Sequence, residues 1–213
     1  MKLISEQLTA ALQNLPGEAA HLMMFPKRKG ASVVKKEQKN FKKAGVLLLL
    51  NIRNEKFPTI TLTERQSYKG AHSGQISFPG GKMEETDRNL MDTALRETEE
   101  EIGVTPHQIN VLGELTELYI PVSNFLVQPF VAITNESLNY IPEEKEVKQI
   151  IDFPIIELLK EDAIIPTSVK AGETLTLKNI PAFVYQEKII WGATALILNE
   201  FRIILKEHNV LNF

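Results

Sequence analysis

FPGGKMEETDRNLMDTALRETEEEIGV, residues 78–104, joins a Pro-Gly-Gly turn to a helical segment dense in carboxylates. The spacing of its apolar residues predicts an α-helix from about Arg88 to Ile102. At about 100° per residue, Met91, Leu95, Thr98 and Ile102 share one narrow, mostly apolar stripe. Glu97, Glu100 and Glu101 share another, about 140° away, because spacings of three and four bring side chains together on a helix surface. One face packs, and the other gathers negative charge.

Three like charges on adjacent turns repel by a few tenths of a kcal/mol per pair on an exposed helix, so the arrangement weakens the helix unless a cation sits there. Oxygen-only ligands suit hard divalent ions, Mg²⁺ or Mn²⁺, which keep several waters and bind substrate phosphates at the same time. The competing reading is a solvated acidic face, and the flanking residues decide between the two.

Arg96-Glu97-Thr98-Glu99-Glu100-Glu101-Ile102-Gly103-Val104 resembles the REUXEEXGU core of the Nudix box, where U is a bulky aliphatic residue, with Thr98 at the first U and Gly81 as the opening glycine. The interval from Gly81 to Arg96 is one residue longer than the usual one, and Asp87 stands where the first box glutamate is expected. In both respects the stretch is similar to the coenzyme A pyrophosphatase branch of the Nudix hydrolases. The lead-in LTERQSYKGAHSGQISFPGG, residues 62–81, extends the resemblance. Leu62, Thr63 and Arg65 match the end of that branch's LLTxR element, and Gly74, Phe78, Pro79, Gly80 and Gly81 match GxxxFPGG. Between them the chain departs from the pattern: Gln66 replaces the usual Ser or Ala, and Gly70 replaces a further arginine, with Lys69 offering a positive charge one position away. YIPVSNFLVQPFVAI, residues 119–133, and IWGATA, residues 190–195, also resemble the family.

The resemblance implies an α/β Nudix fold, a mixed β-sheet sandwiched between α-helices. It implies metal ligation by Glu97, Glu100, Glu101 and the backbone carbonyl of Gly81, with Arg96 pairing a carboxylate to orient it. Substrate contacts are expected from Arg65, Lys69, His72, Gly80 and Gly81, although a hydrogen-bonded loop histidine is an equal reading of His72. In the acidic run of Glu143, Glu144 and Glu146, the last resembles the further acid that Nudix enzymes supply from outside the box; the alternative is a solvated loop charge. Asp87 is expected to cap the helix and offset its positive end, and Glu84 and Glu85 to be surface charges. The implied reaction is hydrolysis of coenzyme A or its thioesters, with Mg²⁺ or Mn²⁺, to 3′,5′-ADP and 4′-phosphopantetheine or its acyl form. Two other readings stay open: the same chemistry on ADP-ribose, NADH or another nucleoside diphosphate derivative, and a nucleotide-binding module without turnover. The complete set of repelling carboxylates argues against the second.

Composition sets wider bounds. The chain has 213 residues, 43% hydrophobic, and a formal charge of −3. No basic excess points to nucleic acid as a partner, and no apolar run reaches the length that a membrane span needs. The absence of cysteine excludes disulfides, thiol catalysis and cysteine metal sites. His21, His72, His107 and His208 are too scattered to suggest a zinc site. Glu6 and Gln7 interrupt what a signal peptide would need to be apolar, so the expected location is cytoplasmic. A small-molecule substrate is the expected partner, and both a monomer and a homodimer are open.

Along the chain, Leu3 to Leu12 reads as an amphipathic helix and the lysine-rich stretch 27–43 as a loop, either a solvated connector or a collar for a polyanion. Residues 1–43 are expected to pack on a single domain, 44–213. Residues 44–53, 59–65, 110–120, 125–134, 150–155 and 175–185 read as strands, and residues 156–160 and 193–206 as helices. Trp191 belongs to the core or stacks on a base.

Overall fold

The computed structural model describes residues 2–66, 74–170 and 176–211. In chain order the elements are α1 (Lys2–Ala11), α2 (Glu18–Met24), α3 (Ala31–Glu37), β1 (Lys42–Asn51), β2 (Thr59–Arg65), β3 (Ile76–Ser77), β4 (Gly80–Lys82), α4 (Leu90–Ile102), β5 (Asn110–Glu114), β6 (Leu118–Ile120), β7 (Phe125–Thr134), β8 (Val147–Pro154), α5 (Ile155–Leu159), β9 (Ile164–Lys170), β10 (Thr176–Tyr185), β11 (Lys188–Ile190) and α6 (Gly192–Glu207).

The run Gly45-Val46-Leu47-Leu48-Leu49-Leu50 makes β1 a strand buried on both faces, as a continuous apolar stretch should be. Its even-numbered leucines, Leu48 and Leu50, join the core beneath α1, α2 and α6; Leu47 and Leu49 join Ala94 and Ile102 of α4 on the opposite side. Alternation along one strand thus builds both layers of a sheet between helices. β1 runs parallel to β7 from Lys42↔Phe125 to Asn51↔Thr134 and antiparallel to β2 and β4, so the sheet is mixed. Among the described residues the strands β3, β2, β1, β7 and β5 lie side by side in that order, with β4 also on β1, β6 on β7 and β8 on β2. A second sheet orders β11, β10 and β9. The α/β architecture expected from the sequence is what the chain adopts.

The layers are tied by buried polar groups as well. Glu200 on α6 is fully buried and meets His21 Nε2 of α2 at 3.1 Å, while Thr116 Oγ1 donates to its other oxygen at 2.5 Å. Thr116 lies between β5 and β6, which divides the single strand expected over residues 110–120. The lysine-rich stretch also differs from expectation. Ala31 and Val34 face inward and are buried, so the segment folds as α3 between exposed lysines instead of running as a loop, and β1 begins at Lys42, before the anticipated domain start. Of the helices in residues 1–43, α1 and α2 contribute Leu8, Ala11 and Met24 to the core that α6 and β1 share. No helix among the described residues is long and apolar enough to cross a membrane.

Candidate active site

α4 starts at Leu90, two residues later than its spacing predicts, and the cap corrects the sequence reading. Asn89, not Asp87, is the N-cap: its side chain accepts from Asp92 N at 2.9 Å. Gly103, in the left-handed region at φ 72°, closes the other end by donating its N–H to Glu99 O. The packing stripe is also rotated from expectation. Ala94, Thr98 and Ile102 are buried as the core face, but so is Glu101, 3% exposed, whereas Met91 is 36% exposed. Thr98, at the position where the motif has an aliphatic residue, satisfies its hydroxyl by donating to Ala94 O at 2.6 Å.

The carboxylates therefore occupy a gradient from inside to outside. Glu101 is buried beside β4, where the Gly80 N–H donates to its Oε2 at 3.1 Å and Arg65 Nη1 of β2 lies 3.7 Å from its Oε1. Glu97 is half-buried, and Glu100 is exposed. Burial pushes the Glu101 carboxyl up to about 7; Glu97 and Glu146 add to the push, and the Gly80 N–H and Arg65 oppose it. Burial also raises Glu97, with Glu100 and Glu146 adding to it and Arg96 pulling the other way. Glu146 is thus within electrostatic reach of both.

Two glycines make this possible. Gly80 sits at φ 140°, and a Cβ there would collide with Gly45 O and with Val46. At Gly81 a Cβ would occupy the space of the Glu97 carboxylate, which lies directly over the glycine Cα. The β4 backbone and the Glu97 side chain come together only because Gly81 has no side chain.

Arg96 organises the rest. Its Nε and Nη2 donate to the two oxygens of Asp87 at 2.9 and 3.0 Å, and Nη1 lies 3.0 Å from Glu97 and 2.9 Å from Glu100. Asp87, its side chain 4% exposed, also accepts from Thr93 Oγ1 and Glu84 N. The hydrogen bonds from Arg96 hold its carboxyl well below the usual carboxylate range, with burial opposing them. The role expected for Asp87, a cap, is replaced by one that its sequence separation from Arg96 conceals: it fixes the arginine. Glu84 and Glu85 are exposed, as read from the sequence.

Glu97, Glu100 and Glu101, expected to hold a metal, share one end of α4 beside β4, but their carboxylates do not meet. Among the described residues no three His, Asp or Glu side chains converge on a single point, because Glu97 and Glu100 are drawn onto Arg96 and Glu101 onto the Gly80 N–H. The donor set still fits a hard divalent cation: oxygens only, Glu101 buried and Glu97 half-buried, mutually repelling and on adjacent turns, where Cβ atoms stand about 5–6 Å apart and rotation of glutamate side chains can close a shared site. Lys69 and His72 fall outside the described residues. Arg65, Gly80 and Gly81 line the same region as the carboxylates. Arg65 Nε is buried without a hydrogen-bond partner among the described residues. Trp191 is half-buried at the N-cap of α6.

The segment carrying Glu146, which the sequence reads as an acidic run whose last member resembles a further acid or is a solvated loop charge, is stitched to α4. Ile141 N donates to Ile102 O and Glu143 N to Glu101 O, both at 2.9 Å. Tyr140, just upstream, bonds to Thr61 Oγ1 at 2.9 Å and donates to Asp152 at 3.1 Å, anchoring the segment across β2 and β8.

The NUDIX domain model matches residues 40–168. An uncharacterized Nudix hydrolase NudL of Pectobacterium atrosepticum is 34% identical over 143 residues, 67% of this chain and 73% of its own length. An uncharacterized Nudix hydrolase NudL of Escherichia coli is 30% identical over 168 residues, 78% of this chain and 84% of its own. Among solved structures, a MutT/nudix family protein from Enterococcus faecalis shares the fold at a TM-score of 0.55 and 16% identity, over 91% of this chain and 76% of that one.

Proposed function

The chain belongs to the Nudix family and is a pyrophosphohydrolase, and on that premise we propose that it cleaves the pyrophosphate bond of coenzyme A or its thioesters, with Mg²⁺ or Mn²⁺, to 3′,5′-ADP and 4′-phosphopantetheine or its acyl form. The observation that carries this reading is Arg65. The LTxR element that resembles the coenzyme A branch ends beside the box carboxylates, with the Arg65 guanidinium 3.7 Å from Glu101. The Asp87–Arg96 pair supports it as well, since it gives the aspartate that the branch shares a part in orienting the box arginine. A small-molecule nucleotide as partner and a cytoplasmic location belong to the same reading.

In this reading Glu97, Glu100, Glu101 and the Gly81 carbonyl would hold the divalent ion. A bound ion would supply positive charge against the pyrophosphate oxygens and help to ionise the attacking water. The protein's own groups do the remainder. Arg96, fixed by Asp87, keeps Glu97 and Glu100 on one side of the helix. Glu146 takes the proton from the attacking water. Water adds to one phosphorus, the bridging P–O bond breaks, and the two phosphate monoesters leave.

Incubation with Mg²⁺ or Mn²⁺ and a panel of coenzyme A, acetyl-coenzyme A, ADP-ribose and NADH, with products identified by mass, tests the substrate. Preferential release of 3′,5′-ADP from the coenzyme A compounds is expected. Turnover of ADP-ribose or NADH at an equal or higher rate would reassign the substrate and leave the hydrolase standing.

A further inference from the structure

Residues 141–146 are all exposed, so no buried side chain fixes the stretch that carries Glu146. Backbone bonds hold it instead. From one side the carbonyl end of α4 accepts from Ile141 N and Glu143 N, and the chain then turns on itself as Glu146 N and Val147 N donate to Glu143 O at 2.9 and 2.8 Å. From the other side Gln66, immediately after β2, makes two bonds: its N–H donates to Glu146 O at 2.8 Å, and its side-chain Nε2 donates to Glu144 O at 2.8 Å. The β2–β8 ladder shifts register at this point, from Glu64↔Gln149 to Arg65↔Val147, so Glu146 stands just past the last strand pair. Its position is set by the turn and not by the sheet.

We propose that Gln66 is a positioning residue, whose carboxamide clamps the 143–146 turn and holds Glu146 beside the carboxylate face of α4. A side-chain donor with the reach of glutamine is what the geometry requires. Alanine has no donor, and the serine hydroxyl ends well short of the reach of Nε2, so the residues usual in the related element could not make the bond to Glu144 O. Gln66 acts through the loop and touches no reacting atom. The proposal rests on the reading of Glu146 as the acid that serves the reaction.

A double-mutant cycle on the full chain tests it, with coenzyme A and, in parallel, ADP-ribose as substrates. Removing one solvent-accessible hydrogen bond is expected to lower kcat of Gln66→Ala about three- to tenfold with KM within about twofold. Gln66→Glu, similar in size but without a donor, is expected to match Gln66→Ala, whereas Gln66→Lys, which regains a donor of comparable reach, restores part of the loss. In the Glu146→Gln background, Gln66→Ala is expected to cost nothing further. Losses that multiply in the double mutant, or full kcat in Gln66→Ala, overturn the clamp while leaving Glu146 in place. Full kcat in Glu146→Gln removes the role of Glu146 and the positioning claim with it. Hydrogen exchange reads the clamp independently of any substrate: the amides of Glu146 and Val147 are expected to exchange faster in Gln66→Ala at an unchanged melting temperature, and unchanged exchange overturns the proposal.

Discussion

Asp87 and Arg96 form a two-point ion pair, Nε to Oδ1 at 2.9 Å and Nη2 to Oδ2 at 3.0 Å, across the turn that leads into α4. The pair leaves Nη1 free to face Glu97 and Glu100, so one carboxylate fixes the arginine and the arginine orients two more. Asp87→Asn should keep the fold but lose this orientation. A fall in kcat of about 10- to 100-fold is expected, as for other residues that support a metal ligand, together with a loss of about 1–3 kcal/mol of stability from a buried charged hydrogen bond. Steady-state kinetics and urea unfolding at pH 7 check both.

Gly80 and Gly81 separate backbone strain from site geometry. Gly80→Ala places a Cβ against Gly45 O at a φ that L-residues avoid, so it should destabilise the protein by about 1–3 kcal/mol or more. Gly81→Ala strains no backbone angle and instead displaces the Glu97 carboxylate. It should melt near the wild type and lose turnover, and thermal melts beside initial rates distinguish the two variants.

Glu64 of β2 links the two sheets by pairing with Lys148 of β8 at 2.6 Å and with Lys188 of β11. Burial works against its charge, but the hydrogen bonds from Lys148 and Lys188 outweigh it and leave the carboxyl below its usual range. A depressed folded-state pKa gives stability that is present above the unfolded value, near pH 4.3, and is lost as pH falls through the folded one. Glu64→Gln should therefore be less stable than wild type at pH 7 by about 1–3 kcal/mol, and the gap should close as pH falls below about 4. Urea unfolding across that range reads the difference.

Glu200 tests the opposite layer. It is fully buried and shared by His21 and Thr116, so Glu200→Ala leaves buried His21 without this partner and takes an acceptor from Thr116. A loss of about 3 kcal/mol is expected with kcat unchanged, since none of these groups touches the carboxylate face.

Much of this was legible in the sequence because period and burial agree. Leucine runs made β1, alternating apolar residues made β2 over Thr59–Arg65, and β7 spans the expected Phe125–Thr134. Legibility failed where a tertiary partner changed what a residue does. Asp87 has the sequence signature of a cap, and only Arg96, a turn and a half of helix away, makes it an anchor. The helical period groups Glu101 with Glu97 and Glu100, but its burial shows only when the Gly80 N–H and Arg65 appear beside it. Lysines mask Ala31 and Val34, whose burial depends on the body of the domain. β9, with mostly exposed residues, has no periodic signal and exists by pairing with β10.

If the α4 carboxylates are the reaction centre of a divalent-ion-dependent hydrolase, release of 3′,5′-ADP from coenzyme A, followed for wild type and Glu101→Gln with Mg²⁺ or Mn²⁺, depends on both the ion and the carboxylate. The wild type should turn over only with the divalent ion, and Glu101→Gln should fall by at least about 100-fold at an unchanged melting temperature. Undiminished release by Glu101→Gln, or release by the wild type that persists in excess chelator, would contradict the account.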